Sequence, residues 1–300
     1  MKIQRKHRTG KGSLTFLWRT SLLLTGLLAL SNISYLMAQG LILEGPELLR
    51  NVVGGADYLR QTDLFIAIRS SMWIPTFGIA LLAFIGIALG HFFTFGPKDM
   101  TGNGEEDAIL WWTLFERIIH WILAISFIIL FISGLLITFG RYFGGGGGTL
   151  LMRQFHEYAG FVFTPSLVIT VLMWARVAMP ATYDGRWLLK FGGYLGYKGE
   201  LKSGKFNAGQ KQWYWVMTIC GALLCWTGLM LFFGTGMMSD MRLYVVIHFF
   251  SALLINLWFV IHLYMTTLGT KGTFMGMING KMSRSALETY HSESRELTES

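Results

Sequence analysis

VVIHFFSALLINLWFVIHLYM, residues 245–265, decides how this chain is built. The stretch is apolar over the length of about 20 residues that crosses a bilayer. It also carries His248 and His262, fourteen residues apart. Fourteen helical steps turn through about 1,400°, within roughly 40° of four full turns, and rise about 21 Å. Both imidazoles therefore leave one helix in the same direction, one toward each membrane face. Ionisable side chains inside a span are costly to bury and mark function by default.

The rest of the chain agrees with a membrane setting. Of its 300 residues, 53% are hydrophobic and only 14% charged, against about 25% charged in a soluble domain. This is the composition of an integral membrane protein, with lipid as its surroundings. The net charge of +8 reads as basic cytoplasmic loops. No basic segment is interleaved with aromatics, so no nucleic-acid partner is expected. Cys220 and Cys225 both lie in the apolar run TICGALLCWTG and read as packing residues. No CxxCH occurs, which excludes covalent haem attachment.

Residues 1–38 begin with Lys2, Arg5, Lys6, Arg8 and Lys11, continue with an apolar run around Leu22–Leu30, and reach LMAQG. The pattern predicts a signal peptide cleaved after Ala38, with an uncleaved anchor as the alternative because Leu36 fits the minus-three position poorly. Residues 39–71 then form a periplasmic segment. Five spans are expected, at about 72–94, 118–139, 157–179, 213–235 and 244–268. The first belongs to an extra helix and loop over 72–110. The other four form a helical domain over 111–285, followed by a tail at 286–300. Pro165 is expected to kink the third span.

The loops set the orientation. Arg186, Lys190, Lys198, Lys202, Lys205 and Lys211 lie between the third and fourth spans, and Lys271, Lys281 and Arg284 follow the fifth. The positive-inside rule makes this side, with the C-terminus, cytoplasmic in a multi-pass protein of a bacterial inner membrane. Gly144–Gly148 reads as a flexible external connection, since no GK[ST] follows it. Gly86 and Gly90 form a GxxxG that suggests a close helix contact.

Of seven histidines, His7 and His291 read as solvated tail residues and His91 as structural. Four remain. Topology places His120 and His262 near the inner face, and His156 and His248 near the outer face. Each depth-matched pair is placed to clamp one haem iron through neutral imidazoles. A lone membrane histidine can simply hydrogen-bond a neighbour; four in two matched pairs argue for ligation. Zinc would want more ligands per site, and no cysteine or carboxylate is suitably spaced. Arg117, one turn before His120, reads either as a haem-propionate partner or as a snorkelling arginine. NAGQ at 207–210 reads as a helix cap begun by Asn207.

FERIIHW at 115–121, RQFHEYAG at 153–160, KFNAGQK at 205–211, IHFFSALLINLWFVIH at 247–262 and KGTFMGMINGKMSR at 271–284 together resemble the gamma, cytochrome b556, subunit of respiratory formate dehydrogenases. The resemblance covers roughly residues 110–290, and the NAGQK and MINGK segments are its most specific parts. The fold it implies is an all-α, di-haem four-helix bundle, here carrying one extra N-terminal transmembrane helix and the signal peptide. It implies two haem b groups, one held by His120 and His262 and one by His156 and His248. It also implies a quinone site at Asn207, Gly209 and Gln210. The implied partners are an iron–sulfur beta subunit and an alpha subunit with a molybdenum or tungsten pterin that oxidises formate. Electrons would enter at the outer haem and leave at the inner one to quinone. The chain itself has no motif for formate chemistry, so its expected part is electron transfer and quinone reduction within an oxidoreductase complex. The alternatives are the cytochrome b subunit of a hydrogenase or thiosulfate reductase and, in another class, a haem-free transporter.

Overall fold

The computed structural model describes residues 74–103, 107–143, 146–235, 238–294 and 297. The expected signal peptide at 1–38 and the segment at 39–71 lie outside the described residues.

The chain is an all-α integral membrane protein. In order, helix α1 spans Ile74–Phe95, α2 Leu114–Thr138, α3 Gly146–Trp174, α4 Asp184–Leu189, α5 Ala208–Phe233, α6 Met238–Thr267, α7 Thr273–Asn279 and α8 Arg284–Tyr290. Five of these, α1, α2, α3, α5 and α6, are long and apolar enough to cross a bilayer. Their outward faces are apolar, with Leu82, Phe93 and Leu172 each about 70% exposed, as lipid requires.

The observed helices reach beyond the expected spans. The third was placed at 157–179 but runs over Gly146–Trp174, so Gly146–Gly148 open a helix rather than a flexible connection. A hydropathy window finds the lipid-matched part of a helix and misses its polar first turns. His156 and His248 are therefore each ten residues inside their helices. Pro165 lies within α3, which continues on both sides of it. A Cβ on Gly86 would meet nothing within 4 Å among the described residues, so no close helix contact is made at that glycine.

Helices α2 and α3 pack as one hairpin and α5 and α6 as another, with α3 against α5 and α1 against α6. Leu123 and Phe127 of α2, Phe163 and Leu167 of α3, Met217 and Cys220 of α5, and Ile255 and Phe259 of α6 meet at the centre. The Phe127 and Phe259 rings stand 4.9 Å apart. A Cβ on Gly221 would come within 2.8 Å of Leu167, so glycine there lets α3 and α5 close up.

One end of the bundle carries a cap. Strand β1 (Lys98–Asp99) pairs in parallel with β3 (Thr270–Lys271), and β2 (Ala108–Leu110) pairs antiparallel with β4 (Lys281–Ser283). Trp111, Trp112, Trp174, Phe206, Met282 and Leu287 form its core. His91 fastens α1 to this cap through the Tyr264 hydroxyl at 2.5 Å and the Tyr194 carbonyl at 3.0 Å. Lys98 donates to the Gly192 carbonyl at 3.1 Å and lies 4.0 Å over the Tyr290 ring; burial lowers its pKa to about 8. His291, expected in solvent, is 4% exposed, bonds the Gly204 carbonyl at 2.7 Å and packs on Trp111. Leu287, fully buried, draws this segment onto the cap.

Candidate functional site

Two places in the bundle gather histidines. At the end away from the cap, His156 of α3 faces His248 of α6, with ring centroids 6.2 Å apart and planes inclined by 60°. At the capped end, His120 of α2 and His262 of α6 lie within electrostatic reach of one another. All four side chains are half-buried.

The first pair lines a cavity of about 1260 Å³, together with Phe77, Gly134, Gly160 and Gly228. Two of these glycines lie against the rings. A Cβ on Gly134 would sit 3.4 Å from His156 Cε1, and one on Gly228 3.6 Å from His248 Cε1. The residue before each glycine holds the facing ring. Ser133 Oγ is 2.9 Å from His156 Nδ1, and Thr227 Oγ1 is 2.9 Å from His248 Nδ1. Both hydroxyls also donate backward along their own helices, Ser133 to the Ile129 carbonyl and Thr227 to the Leu223 carbonyl, each at 2.6 Å. A hydroxyl has one proton. With that proton committed to the backbone, the oxygen must accept from the imidazole. Nδ1 therefore carries the hydrogen, and Nε2 presents its lone pair.

Such a pair suits a metal. Imidazole–metal bonds are about 2.0 Å, and a ring nitrogen lies roughly 1.1 Å from its ring centre, so one ion shared by two rings needs centroids about 6.2 Å apart. The observed separation meets that length. Among the described residues no cluster of three or more His, Cys, Asp or Glu could hold a bare ion. The remaining ligands must come with the group, as a porphyrin supplies them, and the large cavity beside the rings has room for one.

The second pair is set in aromatic surroundings. Trp213 stacks on His262 with centroids 4.9 Å apart and planes 16° from parallel, and Trp174 lies 6.4 Å from His120. His120 Nδ1 and Arg117 Nε are buried with no hydrogen-bond partner, while Arg117 Nη1 donates to the Ile278 carbonyl. A buried guanidinium nitrogen kept free beside a histidine pair fits an acidic substituent of a bound cofactor.

Asn207 and Gln210 engage one another at the start of α5. Asn207 Oδ1 accepts from Gln210 N at 3.0 Å, and Gln210 Oε1 accepts from Asn207 N at 2.9 Å. This is a capping box at the start of α5. A Cβ on Gly209 would stand 3.0 Å from the Trp187 ring. The segment still adjoins the second pair, because Trp213 follows Gln210 by three residues on the same helix face.

Sequence reasoning missed four residues here. Ser133 and Thr227 are signalled by a repeat, SGLLITFG at 133–140 and TGLMLFFG at 227–234. Glu116 and Lys205 stand inside quoted motifs but form a buried ion pair at 3.1 Å. Glu116 also accepts from Trp174 Nε1 and from Thr113, which anchors α2 one turn before His120.

Five apolar helices that carry four half-buried imidazoles, two of them face to face, with no covalent attachment motif, define a membrane cytochrome of the b type. The chain belongs to the prokaryotic cytochrome b561 family, whose pattern it matches over residues 111–280; haem b is the cofactor this membership implies. It is 29% identical over 186 residues to the nitrate-inducible formate dehydrogenase cytochrome b556(Fdn) subunit of Escherichia coli K12, covering 59% of this chain and 85% of that one. It is 26% identical over 194 residues to the formate dehydrogenase cytochrome b556(fdo) subunit of the same organism, covering 62% and 92%. The formate dehydrogenase cytochrome b556 subunit of Haemophilus influenzae is 25% identical over 175 residues, covering 55% and 72%.

Proposed function

We propose that this chain is the membrane cytochrome b subunit of a formate dehydrogenase. It carries electrons across the bacterial inner membrane from a periplasmic iron–sulfur subunit to quinone near the cytoplasmic face. The electrons originate at a partner subunit with a molybdenum or tungsten pterin. The observation that supports this best is the facing of His156 and His248 at 6.2 Å, joined to the names of the relatives.

His156 with His248, and His120 with His262, would hold one haem b each, which supplies a one-electron iron couple. A haem iron held by two protein imidazoles would serve electron transfer rather than oxygen chemistry. Arg117 would meet a propionate through its free Nε. The basic residues from Arg186 to Lys211 and from Lys271 to Arg284 support a cytoplasmic setting for His120 and His262 by the positive-inside rule.

The test is a formate-minus-oxidised difference spectrum of membranes holding this chain and its natural partners. A b-type α-band that appears with formate, and fades in a strain lacking the chain, is the expected result. A band with dithionite but none with formate would overturn the donor and move the chain to a hydrogenase or thiosulfate reductase.

Quinone would be received at Asn207, Gly209 and Gln210, one helical turn from the Trp213 that covers His262. Gln210 Oε1 is engaged by the cap, so its amide N–H₂ is the group left to bond a quinone carbonyl. Gln210→Glu keeps the capping oxygen and removes that donor. Quinone reduction should slow about 10-fold, the scale of one hydrogen bond, at normal haem content. Unchanged quinol formation would leave the segment as a cap only.

A further inference from the structure

The two histidine pairs are held differently. In the first pair, both Nδ1 atoms meet a hydroxyl oxygen at 2.9 Å. In the second, His120 Nδ1 is buried and unpartnered, and the His262 ring has an indole stacked on it. Neither ring of the second pair has a side-chain hydrogen bond among the described residues.

We propose that Ser133 and Thr227 are positioning residues that fix the Nδ1–H tautomer of His156 and His248 and make the outer haem the lower-potential one of the two. This rests on the reading that each pair ligates a haem. A histidine that donates its second N–H becomes a more basic ligand. A more basic axial ligand stabilises ferric over ferrous iron and lowers the potential. Nothing comparable acts on the second pair, so its iron is the easier to reduce. An electron delivered at the outer pair then finds the inner pair downhill.

Both side chains are fully buried, so no water can replace either hydroxyl without a cavity.

The experiment is a potentiometric titration of the purified complex carrying Ser133→Ala, Thr227→Val or both, with haem per chain measured in parallel. The component that disappears in His248→Ala identifies the outer haem. The expected result is wild-type haem content, an outer potential shifted upward in Thr227→Val and in Ser133→Ala, and an unmoved inner potential. Thr227→Ser, which keeps the hydroxyl, should titrate like the wild type. It also serves as the control should Thr227→Val assemble poorly. Two results would overturn the proposal alone: an outer component of higher potential than the inner in the wild type, or variants with full haem and an unmoved outer potential. A wild-type complex without haem, or haem unaffected by His248→Ala, would overturn the ligation reading itself.

Discussion

On the proposed ligation, replacing His248 by alanine should cost the protein one haem of two while the other stays in place. The two pairs are separate. His248 faces His156 toward one end of α6, and His262 lies fourteen residues further on, about 21 Å along the helix. The cavity beside the first pair is lined by Gly134, Gly160 and Gly228. A lone His156 would keep its bond to Ser133 yet offer a single axial nitrogen, too little to retain the group against solvent and lipid. Haem per chain should fall to about half the wild-type value, with the remaining spectrum that of a six-coordinate b haem. Retention of both haems would dismiss the pairing of His156 with His248. Loss of both would show that the two sites are not independent.

The second large effect concerns stability. Glu116 is 8% exposed and uses both carboxylate oxygens. Oε1 accepts from Trp174 Nε1 at 3.0 Å and from Lys205 Nζ at 3.1 Å, and Oε2 accepts from Thr113 N at 2.8 Å. Lys205 Nζ also lies 5.0 Å from the Trp112 ring centre. Glu116→Ala would leave the Trp174 indole N–H and the Thr113 backbone N–H without the carboxylate that accepts from them. A buried donor that loses its acceptor costs about 1–3 kcal/mol. Thermal unfolding in nanodiscs should show that loss. Glu116→Gln, which keeps an accepting oxygen, should lose less. A Glu116→Ala variant as stable as the wild type would mean that the carboxylate does not hold the cap.

Much of this was legible in the sequence, for physical reasons that differ by residue. The spans announced themselves because lipid tolerates no other composition over that length. The four histidines stood out because imidazoles in apolar helices are rare, and the interval from His248 to His262 matches the helical period. Helix ends were harder. Gly146–Gly148 looked like a linker because glycine disfavours helix, but the helix that carries His156 extends back through them. The cap over the bundle end was invisible, since strands of two and three residues carry no periodicity. His291 looked solvated because its neighbours are polar, and only the folded chain shows Trp111 beside it. Ser133 and Thr227 were overlooked for a subtler reason. Serine and threonine in apolar helices usually bond their own backbone, and these two do so as well. Their second role exists only once the partner helix brings a ring to the other side of the oxygen.

The repeat in α2 and α5 bears on how the molecule comes together. Each ring of the first pair is braced within its own hairpin, His156 by Ser133 of α2 and His248 by Thr227 of α5. Nothing in that bracing crosses from one hairpin to the other. The second pair likewise takes one ring from α2 and the other from α6. Whatever both rings of a pair grasp is thus a rivet between two half-molecules, and a ligand that binds only the joined state strengthens the joint in proportion to its affinity. On the proposed ligation, cofactor loading would therefore be linked to the meeting of the two halves.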